Sequence, residues 1–112
     1  MTEAEIQHAI LKRWGAHPRV RLWRSNSGRA WVETSGGGFR PMQVNVSGIG
    51  DLTGWVTIDD RAVFLSIECK SLTGRQRESQ KAFQRVLESM GGIYIIARSV
   101  EDVDAVLEPL LI

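Results

Sequence analysis

The chain has 112 residues, a formal net charge of +1, one cysteine and two histidines. This length predicts a single domain over residues 1–112. A single cysteine excludes an intramolecular disulfide framework and indicates a reducing compartment. The histidines and the cysteine lack zinc-ligand spacing, no apolar run reaches membrane-spanning length, and the N-terminus does not resemble a signal peptide, so we expect a cytoplasmic protein with no membrane partner.

Basic residues are concentrated in the first 40 residues, although the whole chain is nearly neutral. They outnumber the acids seven to three in that segment. Such a basic surface is compatible with phosphate contacts, but a solvated face with scattered arginines explains the same count equally well. The basic residues are Lys12, Arg13, Arg19, Arg21, Arg24, Arg29 and Arg40.

The first half of the chain predicts one helix followed by short strands. Thr2 and Glu5 have the spacing of a capping box, and apolar residues follow at helical spacing as far as Trp14, before Gly15 ends the helix. In chain order the elements predicted next are a strand at 20–24, a turn at 25–28, a strand at 30–33, a loop tip at 35–38 and a strand at 42–46.

The second half predicts a β-hairpin, two helices and a buried strand. The elements are a glycine-punctuated segment at 48–54, strands at 55–58 and 62–69 around a turn at 59–61, a helix at 73–90, a strand at 93–97 and a last helix that opens near Ser99. Because the strand at 93–97 is apolar throughout, we expect it to be central and buried on both faces. The element order predicts a single α/β domain with helices on a mixed sheet.

Three charged residues are predicted to converge at one end of that sheet. Glu68 and Lys70 lie two positions apart on a strand, so their side chains point the same way. Pairing through the turn places residues near Thr53 opposite Glu68 and brings Asp51 to the same end. Two carboxylates there would bind Mg²⁺ or Mn²⁺, which can activate water and stabilise charge on a phosphate. The same pattern also describes an acid at a turn and a surface Glu–Lys pair.

Two further polar residues are candidates for the same site. Gln80 lies on the apolar stripe of the predicted helix, three residues before Phe83, where it is either satisfied at the edge of the core or reaches the site. Glu3 shares the predicted buried face of Ile6 and Ile10, and an acid in the first turn also suits the helix dipole.

Several segments together resemble a known family. The runs GIGDLTG, FLSIECKS, RESQKAF and GGIYII occur in the order found in the VRR-NUC branch of the PD-(D/E)XK nuclease superfamily, and RLWRSNSGRA is similar to another VRR-NUC segment. The resemblance runs from about Glu3 to Ala97. It implies a restriction-endonuclease-like α-β-β-β-α-β core, with a mixed central sheet flanked by helices, and metal-dependent hydrolysis of phosphodiester bonds. Ile49 and Gly50 stand where the name of the superfamily leads one to expect proline before the acid.

The resemblance also implies a role for each matching residue. Asp51 corresponds to the first acid of the motif, Glu68 to the second, Lys70 to its lysine and Gln80 to a glutamine that follows the motif. Asp51 and Glu68 would hold the metal, with the backbone carbonyl of Ile67 or Cys69 as a further ligand. Lys70 would assist the attacking water, and Gln80 would orient the site.

The resemblance extends to the N-terminal half. Because the superfamily often supplies an acid from its N-terminal helix, Glu3 is the candidate there. The segment RLWRSNSGRA is expected to contact DNA near the cleaved phosphate. Its candidate DNA-binding residues are Arg24, Asn26, Ser27 and Arg29.

The expected activity is that of a Mg²⁺- or Mn²⁺-dependent DNA endonuclease. Stand-alone VRR-NUC domains resemble junction-resolving enzymes, so we expect a homodimer that cuts branched DNA such as Holliday junctions. The alternatives are a non-catalytic nucleic-acid-binding module with a nuclease fold, a monomeric flap nuclease and a structural dimerisation protein. The set of Asp51, Glu68 and Lys70 argues against a pure binder, because a binder gains nothing from carboxylates clustered beside DNA.

Overall fold

A four-stranded mixed sheet carries helices on both of its faces. The computed structural model describes residues 1–25, 28–44 and 46–112, and at 28–30 and 43–44 it describes the backbone alone. The helices are α1 (Glu3–Trp14), α2 (Glu78–Ser89) and α3 (Val100–Leu110), and the strands are β1 (Val20–Arg24), β2 (Gly28–Glu33), β3 (Phe39–Val44), β4 (Leu52–Ile58), β5 (Arg61–Cys69) and β6 (Ile93–Ala97). The sheet has the order β1-β4-β5-β6, and β2 and β3 form a separate antiparallel hairpin. Without that hairpin the order is α-β-β-β-α-β followed by α3, which confirms the predicted α/β core.

Helix α1 begins as its capping pattern predicts. Thr2 Oγ1 accepts the backbone N–H of Glu5 at 3.1 Å, and Glu5 Oε1 accepts the backbone N–H of Thr2 at 3.0 Å. The two bonds satisfy donors that have no partner inside the helix. The bond to the Thr2 backbone is also the main reason why the pKa of Glu5 is lowered. Glu5 is therefore a structural cap of the helix.

Alternation along the strands gives the sheet two different faces. One face, which we call the α1–α3 face, packs its apolar side chains against α1 and α3 and forms the core. The other, which we call the α2 face, carries Thr53, Ser66 and Tyr94, and α2 packs against part of it through Phe83. The buried core residues are Ile6, Ile10, Trp14, Val20, Leu22, Leu52, Val56, Leu65, Ile67, Cys69, Ile95, Ala97, Val103 and Leu107.

The hairpin formed by β4 and β5 sets the register of the sheet. Its two turn residues, Asp59 and Asp60, have φ angles of 49° and 62°. Positive φ at both positions is what a tight two-residue hairpin turn requires. The turn pairs Thr53 with Ser66, so the expectation that residues near Thr53 face Glu68 was wrong by two positions. Extending the same register by one residue places Asp51 directly opposite Glu68.

Strand β6 lies at the edge of the sheet and not at its centre, which corrects the expectation from its apolar sequence. It runs parallel to β5, with Tyr94 beside Ser66 and Ile96 beside Glu68. Because β4 already occupies one edge of β5, a strand that pairs with β5 after α2 takes its other edge and ends the sheet there. The strand is largely buried because α2 and α3 both pack on it.

Helix α2 begins at Glu78, five residues later than predicted. The chain between Ser71 and Arg77 is irregular, and the Arg98 guanidinium donates hydrogen bonds to the carbonyl oxygens of Ser71 and Gly74. These bonds hold the segment in a turn and leave its carbonyls unavailable to a helix.

Among the residues that the structure describes, no helix is both long and apolar enough to cross a membrane.

The hairpin of β2 and β3 is separate from the main sheet. Its strands start earlier than predicted, at Gly28 and Phe39, and it is closed by a bond from Thr34 N to Gly38 O at 2.7 Å. Trp31 and Phe39 are largely exposed on it. An isolated two-stranded hairpin is only marginally stable in water. Because its aromatic side chains are exposed, they contribute little to the core.

Candidate active site

Asp51, Glu68 and Lys70 come together where β4 begins and β5 ends. Asp51 Oδ2 accepts the backbone N–H of Cys69 at 2.8 Å, which fixes the carboxylate against the end of β5. Lys70 Nζ lies 3.4 Å from Glu68 Oε1. The convergence predicted from the strand pattern is therefore present, with Asp51 directly before the start of β4 and its side chain hydrogen-bonded to the end of β5.

The surroundings of Glu68 disfavour the charged form of its carboxyl group. Glu68 and Lys70 are only 4% and 6% exposed. Burial, followed by repulsion from the Asp51 carboxylate, raises the pKa of Glu68 to about 7, while the Lys70 ammonium opposes that rise. At neutral pH such a carboxyl group is only partly ionised, and further positive charge close to it would favour the ionised form.

A network of buried hydroxyl groups holds the chain on either side of Asp51. Ser25 Oγ donates to Gly50 O at 2.8 Å and also contacts Thr53 Oγ1. Ser66 Oγ accepts the backbone N–H of Gly50 at 2.8 Å, and the backbone N–H of Ser25 donates to Asp51 O at 2.8 Å. The entry to β4 is thus fixed from both β1 and β5.

Gly50 has no room for a side chain. A Cβ built there would lie 2.5 Å from the carbonyl oxygen of Ile67 and 2.7 Å from Ser66 Oγ. Proline would meet the same atoms and would also lose the N–H that Ser66 accepts. The local structure therefore excludes proline at this position.

Gln80 is buried, and its side chain has a partner on its own helix. Its Oε1 accepts the backbone N–H of Arg77 at 2.8 Å, as a residue at the third helical position does in a capping box. The polar group that the sequence placed on an apolar stripe is therefore satisfied, and the bond helps to fix where α2 begins. Its role in the site stays a prediction.

Glu3 is exposed, although its spacing places it on the same side of α1 as Ile6 and Ile10, which corrects the expectation that it shares their burial. It is the first residue of the helix, one turn before the buried Ile6. Its carboxylate nevertheless helps to raise the pKa of Cys69, so α1 begins near the end of β5. Its role as a catalytic acid stays a prediction.

Cys69 is fully buried in the core, on the sheet face opposite to that of Glu68 and Lys70. Burial is the main cause that raises the pKa of its thiol to about 12, with added repulsion from neighbouring carboxylates. The thiol therefore stays protonated at neutral pH and is not a nucleophile.

The donor atoms at this end of the sheet fit a hard divalent cation. Asp51 and Glu68 supply carboxylate oxygens, and the raised pKa of Glu68 reflects repulsion that a cation would relieve. Within the described ranges, no three His, Cys, Asp or Glu side chains are grouped to hold a metal. Two carboxylates completed by the Cys69 carbonyl and by water would suit Mg²⁺, which keeps several water ligands.

The predicted DNA-binding segment is described only in part. Arg24 is exposed at the end of β1, and its pairing with Leu52 puts it on the α1–α3 face, whereas Arg21 lies on the α2 face with Glu68. Asn26 and Ser27 lie outside the described residues, and Arg29 is described by its backbone alone. Their contact with DNA stays a prediction.

Sequence reasoning missed the residues that support the acids. Ser25 was interpreted as part of a turn, Thr53 as part of the glycine-punctuated segment at 48–54, and Ser66 as an ordinary strand residue. Ser66, Glu68 and Lys70 occupy every second position of the strand and so share one face. Three polar residues at that spacing on a buried strand were the signal that the interior contains a polar surface. Tyr94 was missed because it lies in a run that is otherwise apolar.

Comparison with known proteins identifies the family. A model of the VRR-NUC domain matches residues 1–101, a range that includes each of the predicted site residues. The search of curated proteins and the search of solved structures each found no match. The VRR-NUC domain is a nuclease-type domain, and its function implies DNA as substrate. The chain therefore belongs to the VRR-NUC domain family.

Proposed function

We propose that this VRR-NUC domain is a metal-dependent endodeoxyribonuclease. The observation that carries the proposal is the meeting of three charged groups: the Asp51 carboxylate lies close enough to repel that of Glu68, and Lys70 Nζ lies 3.4 Å from Glu68 Oε1. Two carboxylates are costly to bury side by side, and such a cost persists where the surroundings or a function require it. A cation site for phosphodiester hydrolysis supplies that requirement.

Asp51 and Glu68 would hold Mg²⁺ or Mn²⁺, with the backbone carbonyl of Cys69 as a further ligand. When bound, the cation would polarise a phosphate oxygen and lower the pKa of water. The hydrogen bond from Cys69 N to Asp51 Oδ2 restrains one ligand before any cation arrives. Such restraint lowers the entropic cost of assembling a site.

Lys70 would act on the attacking water or on the charge of the scissile phosphate. Its ammonium is nearly enclosed, so its charge is weakly screened and acts strongly over a short range. Gln80 would orient the site by fixing the start of α2, and Glu3 would add an acid from the start of α1. Arg24, Asn26, Ser27 and Arg29 would position the DNA backbone.

Branched DNA is the proposed substrate, and a homodimer is the proposed assembly. Exposed apolar side chains support an interface: Val86 is 56% exposed and Met90 82%, and together with Phe64 they line an apolar cavity of about 250 Å³. Contiguous apolar surface of this kind is typical of protein contacts. Two-fold symmetry would present two sites for paired cuts across a four-way junction.

One assay tests both levels of the proposal. Linear, flapped and four-way DNA are incubated with Mg²⁺, Mn²⁺ or EDTA, and the mass of the protein is measured by light scattering at the same concentration. We expect cutting with either metal, none in EDTA, and paired cuts of the junction by a dimer. Cutting in EDTA at an unchanged rate would contradict the metal site. A strict monomer that prefers flaps would retain the nuclease proposal and contradict the junction reading.

A further inference from the structure

Tyr94 is a buried tyrosine whose hydroxyl has no partner. The residue is 6% exposed, and its Oη makes no hydrogen bond to any group within the described part of the chain. Burying a hydroxyl without a partner destabilises a protein, and phenylalanine would fill the same volume without that penalty. The fold alone therefore gives no reason for the oxygen atom at this position.

Tyr94 lies on the same face of the sheet as the acidic pair. It is beside Ser66 in the parallel ladder, and Ile96, two residues later, is beside Glu68. Its ring packs against Phe83 of α2, with ring centroids 6.1 Å apart. The ring is thus held between α2 and the sheet, and its place beside Ser66 puts it two strand positions from Glu68.

Burial and nearby carboxylates together keep the Tyr94 hydroxyl protonated. Burial is the main cause that raises its pKa, and the carboxylates of Glu68 and Asp51 add to the rise. The Gln76 side chain opposes this effect, but its Nε2 donates to Gln84 Oε1 at 2.8 Å and forms no hydrogen bond to the phenol. The hydroxyl is therefore neutral and can donate a hydrogen bond.

We propose that Tyr94 is a further residue of the nuclease site, and that its Oη donates a hydrogen bond to an oxygen atom that enters with the cation and the substrate. This inference rests on the proposed function. The acceptor is either a water molecule that accompanies the cation or an oxygen of the phosphate, and both present the same lone pairs. A donor without a protein partner is free to make that bond without first breaking another one.

The variant Tyr94→Phe removes only the hydroxyl. If the oxygen serves the site and not the fold, the melting temperature of the metal-free variant should equal or exceed that of the wild type. Turnover of DNA in Mg²⁺ should fall at least tenfold, with DNA affinity in Ca²⁺ within threefold of wild type. Phe83→Leu is the control, because it loosens the packing around the ring and keeps the hydroxyl. It should lower the melting temperature and change turnover by less than threefold.

A spectroscopic measurement identifies the acceptor without any cleavage. Tyr94 is the only tyrosine of the chain, so ¹³C-labelled tyrosine gives one Cζ resonance. A shift with Mg²⁺ alone identifies water as the acceptor, and a shift only when inorganic phosphate is added identifies a phosphate oxygen. No shift in either arm, or a Tyr94→Phe variant that melts lower and cuts as fast as wild type, overturns the inference. A wild-type protein that cuts no DNA with either metal contradicts the proposed function instead, and the resonance then decides the role of Tyr94 by itself.

Discussion

Gly50 donates its backbone N–H to Ser66 Oγ at 2.8 Å, and its Cα lies so close to β5 that a Cβ would meet the carbonyl oxygen of Ile67. The contact lies next to Asp51, whose own carboxylate is held by Cys69 N. The distance between the two acids therefore depends on a residue that carries no charge and no side chain.

Gly50→Ala should move the start of β4 away from β5. A methyl group 2.5 Å from a carbonyl oxygen forces the backbone apart, and overpacking of this kind costs about 1–3 kcal/mol. We expect that loss in urea denaturation, together with slower cleavage. Gly36→Ala is the matched control, since a Cβ there meets nothing within 4 Å, and it should change stability by less than about 0.5 kcal/mol. Equal stability of the two variants would show that the close approach is not needed.

Glu68 should make the metal-free protein less stable as the pH rises. Its folded pKa of about 7 lies above the ordinary value of 4.5, so the folded state holds a proton that the unfolded state releases between these values. The free energy of unfolding therefore falls through this window, by up to about 3 kcal/mol, and levels off above it. The groups that face Glu68 are Asp51, Lys70 and Tyr94.

Urea denaturation at pH 5 and pH 8 in EDTA, for the wild type and Glu68→Gln, checks this expectation. The glutamine variant has no proton to lose and should show the smaller change. Equal changes in both proteins would assign the pH dependence to other groups.

The hairpin that carries the acids could be predicted because its information is local. The turn at Asp59 and Asp60 and the alternation on either side of it indicate two paired strands. Their register was predicted two positions out, in part because the turn was predicted at 59–61 and the chain turns on Asp59 and Asp60 alone. The start of β4 was also predicted too late, since it depends on Gly50 and Ser66, which meet only after the chain has folded.

The other errors have non-local causes too. The apolar sequence of β6 cannot distinguish a central strand from an edge strand that helices cover on both sides. The late start of α2 depends on Arg98, which follows the helix by almost ten residues and binds the carbonyls of Ser71 and Gly74. Glu3 has the spacing of a buried residue, but helical periodicity does not show where the sheet beneath it ends.

Lys70→Met should reduce turnover far more than DNA affinity. The side chain keeps its length and loses the ammonium that lies 3.4 Å from Glu68. Removing one such group from an enclosed site costs about 10²–10³ in rate, while one lysine adds little to a basic surface. Lys81→Met is the matched control, because Lys81 makes an exposed pair with Glu78 at 3.3 Å and should leave both quantities unchanged. If filter binding fell as steeply as cleavage, Lys70 would instead be a phosphate anchor.

Arg24→Met and Arg29→Met should each weaken binding to all DNAs alike. Each lost phosphate contact lowers the slope of log affinity against log salt by about 0.9. Arg13→Met is the control, since Arg13 is paired with Asp104 and Glu108 at 2.6 Å and should leave the slope unchanged. Arg21→Met tests the alternative DNA path. If the salt slope became smaller in Arg21→Met and stayed unchanged in Arg24→Met, the DNA would instead run along the α2 face.

The acids and Tyr94 reach the site by routes of very different length. Asp51 and Glu68 are 17 residues apart in the sequence and are joined by a two-residue turn, whereas Tyr94 comes from a parallel strand that follows α2. Closing a short loop costs less conformational entropy than closing a long one, so contacts across short loops form sooner. We therefore expect the repelling carboxylates to meet early in folding, before β6 docks, and amides of 52–58 should gain protection from hydrogen exchange ahead of those of 93–97. A divalent cation present during refolding would then act on the folding rate as well as on the finished protein.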